Sequence, residues 1–282
     1  INIKKMITIM NIYKTHMESD KQTTQIIRSV KEILQRSLDN PNELSKLIDS
    51  YLIPLATEKK KNAEVSTPYQ LRQDMLNKMP ADFWKTPKKV FEPCVGKGGF
   101  LVDIYSRFMD GLKEMYPDIE ERKKVIVEQC LYWSDINPTN IYICRLLIDP
   151  YSKYKDSLNV NEGDTLKLNI QEEWGIEGFD AVIGNPPYNK GENSRHIIWN
   201  LFVSKSLNCL KTSGYLLYVH PALWRKPGSE RSKVNGLFEL MVRNNTMKYL
   251  EIHNTTDGMS VFKCGTRYDW YLIEKGHTSF DT

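Results

Sequence analysis

The sequence predicts an α/β fold, in which an open and mainly parallel sheet carries helices and follows a helical N-terminal extension. Short apolar segments rich in β-branched residues recur along the chain, and helical patterns separate them. Several of these segments end in a glycine-rich turn, an acidic residue or an Asn-Pro turn. Because parallel strands end at the same edge of a sheet, we expect these turns to meet in one crevice.

The composition is that of an ordinary globular protein. Of the 282 residues, 40% are hydrophobic and 26% are charged, and no apolar run is long enough to cross a membrane. Five scattered cysteines without a Cys-x-x-Cys pair, and no histidines at ligand spacing, favour neither a disulfide framework nor a metal site. We therefore expect a cytoplasmic protein without a membrane partner, and the net charge of +4 permits nucleic acid as a partner.

The extension shows two apolar stripes at helical spacing, divided by Asp39-Asn40-Pro41. This pattern predicts a helical hairpin packed on the main domain. A charged run at 58–62 is typical of a linker. The predicted division is a helical extension at 1–62 and a main domain at 63–282.

The main domain begins with two segments that favour ligand binding. Thr67-Pro68 predicts a helix start, with Thr67 as N-cap and Gln70 completing a capping box. The segment 89–101 predicts a strand, a glycine-rich turn and a helix start, which lets the backbone approach a ligand closely. The turn matches neither the G-x-G-x-x-G fingerprint nor a phosphate-binding P-loop.

Acidic residues end the next two predicted strands. Asp135 follows the strand at 130–134, where an acid is placed to bind ribose hydroxyls, although a helix N-cap is the alternative. Asp164 ends the third strand, where its carboxylate is placed to accept a hydrogen bond from an adenine amino group. A Gly-Asp turn considered alone does not indicate a binding site.

The fourth predicted strand, at 179–183, leads into Asn185-Pro186-Pro187-Tyr188. Adjacent prolines stiffen this turn. The Asn185 Oδ1 and the Pro186 carbonyl oxygen suit the two N–H bonds of an exocyclic amine, and the Tyr188 ring suits stacking on a base. Acceptors fixed on an aromatic amine free its lone pair and stabilise developing positive charge. The alternative is a rigid turn with a structural tyrosine.

Three further strands are predicted at 214–221, 247–253 and 267–274. The loop from Trp224 to Lys233 is basic and carries an aromatic side chain, which suits contact with a nucleic-acid backbone as well as it suits a solvated loop. His220 is interpreted as a residue at a strand end rather than a catalytic group.

These motifs resemble those of the N6-adenine DNA methyltransferases in which the cofactor motifs precede the catalytic motif, the gamma arrangement. This group includes many restriction–modification enzymes. The resemblance covers roughly Val65 to Lys275 and is carried by Glu92–Phe100 and Asn185–Tyr188. It implies a class I S-adenosylmethionine-dependent methyltransferase: a Rossmann-like, seven-stranded mixed sheet with an antiparallel last strand. It also implies transfer to adenine N6 in duplex DNA by base flipping.

The resemblance assigns individual residues. The implied catalytic residues are Asn185, Pro186, Pro187 and Tyr188. The implied S-adenosyl-L-methionine ligands are Thr67, Glu92, Pro93, Cys94, Gly96, Gly98, Phe100, Asp135, Ile136, Asp164 and Thr165. The expected substrate contacts are Tyr188, Phe262, Arg225 and Lys226, and no metal is expected.

One departure from the family concerns target recognition. The family usually carries a recognition domain after the catalytic domain, and this sequence ends at Thr282. We therefore expect a truncated chain, or recognition by the 224–233 loop, the N-terminal helices or a partner subunit. The alternatives are methylation of an RNA base or a protein glutamine with the same chemistry, and a catalytically silent subunit that binds cofactor and nucleic acid.

Overall fold

A seven-stranded sheet organises the computed structural model, which describes residues 28–30, 32–34, 40–52, 65–190, 193–225 and 232–276. The strands lie in the order β3-β2-β1-β4-β7-β9-β8, and β5 and β6 form a separate two-stranded hairpin. Their bounds are β1 Val90–Glu92, β2 Leu131–Asp135, β3 Asn159–Glu162, β4 Phe179–Gly184, β5 Asn189–Lys190, β6 Asn193–Ile197, β7 Leu210–Pro221, β8 Thr246–His253 and β9 Tyr268–Glu274.

The sheet is parallel from β3 to β7, and β9 runs antiparallel between β7 and β8. The chain builds outward from β1 through β2 to β3, and then returns to place β4 on the other side of β1. This reversal is the topological switch point at which open α/β sheets bind ligands. The predicted fold class is confirmed, including the seven-stranded mixed sheet with its antiparallel last strand.

Eight α-helices are assigned within the described residues. They are α1 Pro41–Tyr51, α2 Tyr69–Leu76, α3 Gly99–Gly111, α4 Ile119–Val125, α5 Pro138–Ile148, α6 Ile170–Trp174, α7 Trp199–Cys209 and α8 Thr255–Phe262. The pleat sends alternate strand residues to opposite faces. Trp133 and Ile183 therefore join a core with α1, α3 and α5, whereas Tyr132 and Val182 join a second core with α7.

The described part of the extension belongs to the first of these cores. The α1 helix begins after Asn40, whose side chain accepts a hydrogen bond from the Glu43 amide at 3.2 Å. Ile48 of α1 and Ile33, from the preceding helical segment, are buried in the same core as Phe108 of α3. The remaining residues of the predicted first helix and the charged run lie outside the described residues. The division at residue 62 stays a prediction.

Several local predictions are wrong. The N-cap of α2 is Pro68, without a side-chain cap bond, and Gln70 instead bonds Asp74, so the capping box with Thr67 does not form. The polar sequence of 107–124 indicates one helix, but the stretch contributes to two, because α3 ends at Gly111 and α4 begins after its own N-cap, Asp118. The α8 helix and the β5–β6 hairpin were not predicted from the sequence.

Candidate active site

A cavity of about 490 Å³ lies at the carboxyl ends of β1 and β4, within the size range of small-molecule sites. The strand-end turns converge on it, as the sequence analysis expected. The predicted site residues that line it are Thr67, Glu92, Pro93, Cys94, Gly96, Phe100, Asp135, Ile136, Asp164, Thr165, Asn185, Pro186 and Pro187. Gly98, Tyr188, Phe262 and Arg225 lie outside its lining, and Lys226 lies outside the described residues.

The glycine-rich turn needs left-handed backbone at two positions. Gly96 has a φ of 52° and Gly98 a φ of 84°, which glycine adopts without steric cost. A Cβ atom at Gly98 would also lie 3.1 Å from the Cys144 Sγ and 3.3 Å from Leu147. Gly98 therefore shapes the turn and seats α3 against α5, while Gly96 borders the cavity.

Asp135 joins this turn to the end of β2. Its Oδ2 accepts from the Gly96 amide at 2.9 Å and from the Asn140 side chain at 3.2 Å, and its Oδ1 accepts from the Asn137 amide at 2.8 Å. Burial raises the pKa of Asp135 above its ordinary 3.8, and these hydrogen bonds oppose that rise. The N-cap of α5 is Asn137, so the alternative interpretation of Asp135 as an N-cap is wrong.

Of the residues after β2 and β3, one offers apolar surface to the cavity and two make hydrogen bonds within the protein. Ile136 exposes 64% of its surface at the cavity and offers an apolar face to a flat ring. Asp164 caps a short 3₁₀ turn by accepting from the Leu166 amide at 3.1 Å. The Thr165 hydroxyl bonds the Pro93 carbonyl oxygen at 2.6 Å and thereby ties the end of β3 to the end of β1.

Glu92 is a buried acid at the end of β1. Its Oε2 has no hydrogen-bond partner among the residues that the structure describes. Burial raises the pKa of Glu92 well above 4.5, and the positive charge of Arg72 opposes that rise. Because buried polar atoms are normally paired, this oxygen is suited to a positively charged ligand group in the cavity.

The substitution Glu92→Gln should change the stability of the fold and the affinity for the ligand in opposite directions. The raised pKa means that the contribution of Glu92 to stability is full below pH 4.5 and is lost as pH rises through the folded-state pKa. We therefore expect the variant to melt at a higher temperature than the wild type at neutral pH. Its S-adenosylmethionine affinity should fall about tenfold, for one lost charge-assisted contact, as measured by calorimetry.

The pH dependence of binding supplies the control. Wild-type affinity should rise with pH as Glu92 ionises, whereas the Glu92→Gln variant should lack this step. Equal affinities and equal pH profiles would contradict a role for Glu92 in binding a cation.

Asn185 follows β4 and has a fixed amide orientation. Its Nδ2 donates to the Val65 carbonyl oxygen at 3.2 Å and to the Thr67 Oγ1 at 3.1 Å. The Val65 carbonyl only accepts, so the amide nitrogen must face it. The Oδ1 is consequently turned the other way, where it is buried and has no partner within the described part of the chain. Thr67 thus contacts both the cavity and Asn185.

Tyr188 and Phe262 lie beyond the cavity and approach a common neighbour. Burial raises the pKa of Tyr188 above 10.0, with further contributions from Cys264 and Tyr268, and an interaction with Asn185 opposes the rise. The Phe262 ring meets the Tyr268 ring edge-on at 4.9 Å. The two aromatic residues predicted to contact the substrate therefore both lie near Tyr268.

Trp224, the first residue of the predicted 224–233 loop, is not placed for the predicted contact with nucleic acid. Trp224 is 1% exposed and packs against Tyr271, so it cannot contact nucleic acid from this position. Arg225 pairs through its Nε with the buried Asp269 Oδ2 at 2.9 Å. His220 is also buried, stacked on Trp199, and burial lowers its pKa to about 4, which agrees with a structural role.

Several residues that line the cavity were not predicted as site residues from the sequence. Leu201 and Phe202 of α7 add apolar surface to the cavity lining. Their helical spacing indicated only an amphipathic helix. Four more, from elements remote from the predicted motifs or from their strand ends, are Ile48 and Asp49 of α1, Arg72 of α2 and Asn140 of α5. The sequence contains no local signal for these four, because elements distant in the chain bring them to the cavity.

Comparison with known proteins agrees with the fold and the motifs. Residues 129–262 match the family model described as Eco57I restriction-modification methylase. An uncharacterized adenine-specific methylase of Mycoplasma pneumoniae is 26% identical over 257 residues, covering 65% of this chain and 58% of that protein. The chain thus spans little more than half the length of this curated relative.

Solved structures share the fold at low identity. A type I restriction-modification methyltransferase subunit from Streptococcus thermophilus superposes with a TM-score of 0.56 at 13% identity, covering 84% of this chain and 49% of that chain. The DrdV–DNA complex gives a TM-score of 0.60 at 12% identity, covering 83% and 29%. At these identities the likeness concerns the fold.

The fold is that of the class I S-adenosylmethionine-dependent methyltransferases, and the segment from β2 to α8 matches the model of a restriction–modification methylase family. The resemblance to restriction–modification adenine methyltransferases that the motifs indicated is thereby confirmed. Within the described ranges, no helix is long and apolar enough to cross a membrane.

Proposed function

We propose that this chain transfers the methyl group of S-adenosyl-L-methionine to the N6 amino group of adenine in DNA. The observation that carries the proposal is the Asn185 side chain, whose Nδ2 is held by Val65 and Thr67 while its buried Oδ1 has no partner in the described residues. An unpaired, oriented acceptor at a ligand cavity is suited to an amine N–H.

The cavity fits the proposed cofactor. Bound S-adenosylmethionine supplies a methyl group on a positively charged sulfur. Its positive charges suit the unpaired Glu92 Oε2, and its ribose hydroxyls suit Asp135. Its adenine would pack on Ile136 and the apolar α7 residues, with Asp164 beside its amino group. Cys94 and Phe100 complete the lining, and the structural ties of Pro93 and Thr165 hold the loop in place.

The chemistry on the substrate side belongs to the turn after β4. Asn185 Oδ1 and the Pro186 carbonyl oxygen would accept the two N–H bonds of the target amine, which directs its lone pair away from the ring. Both acceptors would stabilise the positive charge that develops on nitrogen. Pro187 stiffens the turn, and the Tyr188 ring would stack on the base with Phe262 nearby. In a duplex, the adenine would first be flipped out, at a cost of roughly a few kcal/mol.

Two observations favour DNA as the substrate. The segment 129–262 matches a restriction–modification methylase family, and DrdV, which shares the fold, is solved in complex with DNA. We further propose that a partner subunit or a further domain supplies target recognition, because the chain spans only 58% of its curated relative. The helical extension at 1–62 and the methyltransferase domain at 63–282 are proposed as its two parts.

The proposal is tested by incubating the protein with methyl-labelled S-adenosylmethionine and mixed-sequence duplex DNA, followed by digestion to nucleosides. We expect labelled N6-methyldeoxyadenosine. Parallel reactions contain single-stranded DNA, total RNA or a protein extract, so that label in an RNA base or a glutamine amide identifies the alternative substrates. Cofactor binding by calorimetry without label in any substrate would instead indicate a catalytically silent subunit, or a chain that transfers methyl groups only with the recognition partner proposed above.

A further inference from the structure

Arg72 of α2 borders the cavity, yet it makes all its hydrogen bonds within the protein. Its Nε bonds Asp103 at 2.6 Å, and its Nη2 bonds the Ser45 hydroxyl at 2.8 Å and the Ser45 carbonyl at 3.3 Å. Its Nη1 bonds Asp49 at 2.7 Å and also the Thr67 carbonyl oxygen. A guanidinium has five N–H donors, so none remains for a ligand.

The buried space around Arg72 and the arrangement of its partners fit an arginine side chain. Arg72 is 2% exposed, and a Cβ atom at Gly99, the first residue of α3, would lie 2.8 Å from its guanidinium. Its partners come from α1, α3 and the segment before α2. Lysine could keep the charge, but it could not reproduce this planar fork of donors.

A continuous set of hydrogen bonds connects Arg72 to the target side of the cavity. Arg72 holds the Thr67 carbonyl oxygen, and Thr67 Oγ1 and the Val65 carbonyl together hold the Asn185 Nδ2. The orientation of the Asn185 Oδ1 thus depends on the backbone of residues 65–67. That backbone is anchored to α1 and α3 through Arg72.

We propose that Arg72 is a positioning residue for methyl transfer, which fixes residues 65–67 and thereby aims the Asn185 Oδ1 at the target amine. Its effect on turnover rests on the proposed function, whereas its effect on the Asn185 amide does not. Displacement of a reacting group by about 1 Å can cost roughly 100-fold in rate. Arg72 therefore acts on the rate of transfer without contacting cofactor or substrate.

The first test compares Arg72→Lys with Arg107→Lys. Arg107 also joins α3 to α2, through Gln73 and Asn77 at 2.8 Å each, but it has no contact with Thr67. We expect Arg72→Lys to lower kcat by about 10- to 100-fold with the cofactor Kd within about threefold. Arg107→Lys should change neither. Equal kcat values per folded molecule in the two variants would overturn the proposal. They would show that both arginines act only by packing α2 against α3.

The second test needs no activity. The side-chain amide of Asn185 is observed by NMR in the protein without cofactor, and its signals are assigned by their loss in Asn185→Asp. We expect these signals to shift and to exchange faster with solvent in Arg72→Lys but not in Arg107→Lys. Unchanged signals in folded Arg72→Lys would overturn the proposal. Lack of transfer by the wild type to every substrate would instead overturn the proposed function and leave this readout intact.

A milder variant covers the case in which Arg72→Lys does not fold. Ser45→Ala removes the hydroxyl partner of Nη2 and keeps the arginine. We expect the same direction of change at the Asn185 amide, with a two- to fivefold loss of kcat. An unchanged Asn185 amide in this variant would also contradict the proposal.

Discussion

Asn185→Ala should lower kcat for methyl transfer by about 100- to 1,000-fold, the cost of removing one preorganised group that stabilises charge in a transition state. The substitution removes the Oδ1 acceptor, while the cofactor-side groups Glu92 and Asp135 stay in place. The cofactor Kd should therefore remain within about threefold. Steady-state transfer and calorimetric cofactor binding are the two measurements.

Asn200→Ala is a matched control for this prediction. The Asn200 Nδ2 also donates to a backbone carbonyl, that of Lys233 at 2.8 Å, and its Oδ1 is also buried without a partner in the described segments. It does not line the cavity. Its loss should affect the melting temperature and leave kcat nearly unchanged. Loss of cofactor binding in Asn185→Ala with the fold intact would refute the assigned role.

Asp135→Ala should raise the cofactor Kd by about 10- to 100-fold. The change leaves the amides of the half-buried Gly96 and Asn137 without their acceptor, at roughly 1–3 kcal/mol for each group that stays unsatisfied. Because the Gly96 amide lies in the glycine-rich turn, the cavity itself should deform. The proposed contact with the ribose is lost as well. Calorimetry with S-adenosylmethionine and thermal melting measure the two effects.

Asp149→Ala separates these effects. Asp149 is similarly buried and accepts from the amides of Lys153 and Tyr154 at 2.8 and 2.7 Å, after the end of α5 and away from the main cavity. Its loss should lower the melting temperature with little change in Kd. A similar rise in Kd for both variants would mean that Asp135 acts only through global stability.

The sheet and its strand-end turns were predictable because the signals are local. Asp135 is the last residue of one apolar strand and Asn185 directly follows another, and parallel topology brings such positions to one edge. A single chain reversal, between β3 and β4, then determines where the cavity lies. The order of motifs was therefore enough to predict the fold class and the strand-end turns that line part of the cavity.

The partners of these residues were not predictable, because they are remote in the sequence. Thr67 precedes a proline and a helix, which fits an N-cap, yet its hydroxyl bonds Asn185, 118 positions away. Arg72 sits in a polar-looking helix, and only the folded structure shows its carboxylate partners. Trp224 begins a basic stretch whose composition is typical of an exposed loop, but its ring is covered by Tyr271. Local pattern cannot distinguish these cases.

The shared core of the extension and the sheet limits how such chains can be recombined. Ser45 and Asp49 lie upstream of the predicted boundary at residue 62, whereas Arg72 and Asp103 lie downstream. A hybrid that joined the extension of one relative to the catalytic domain of another would combine unmatched halves of this ion-pair cluster. Ser45, Asp49, Arg72 and Asp103 should therefore be exchanged as a set, with α1 kept on the same side of the graft point as the catalytic domain.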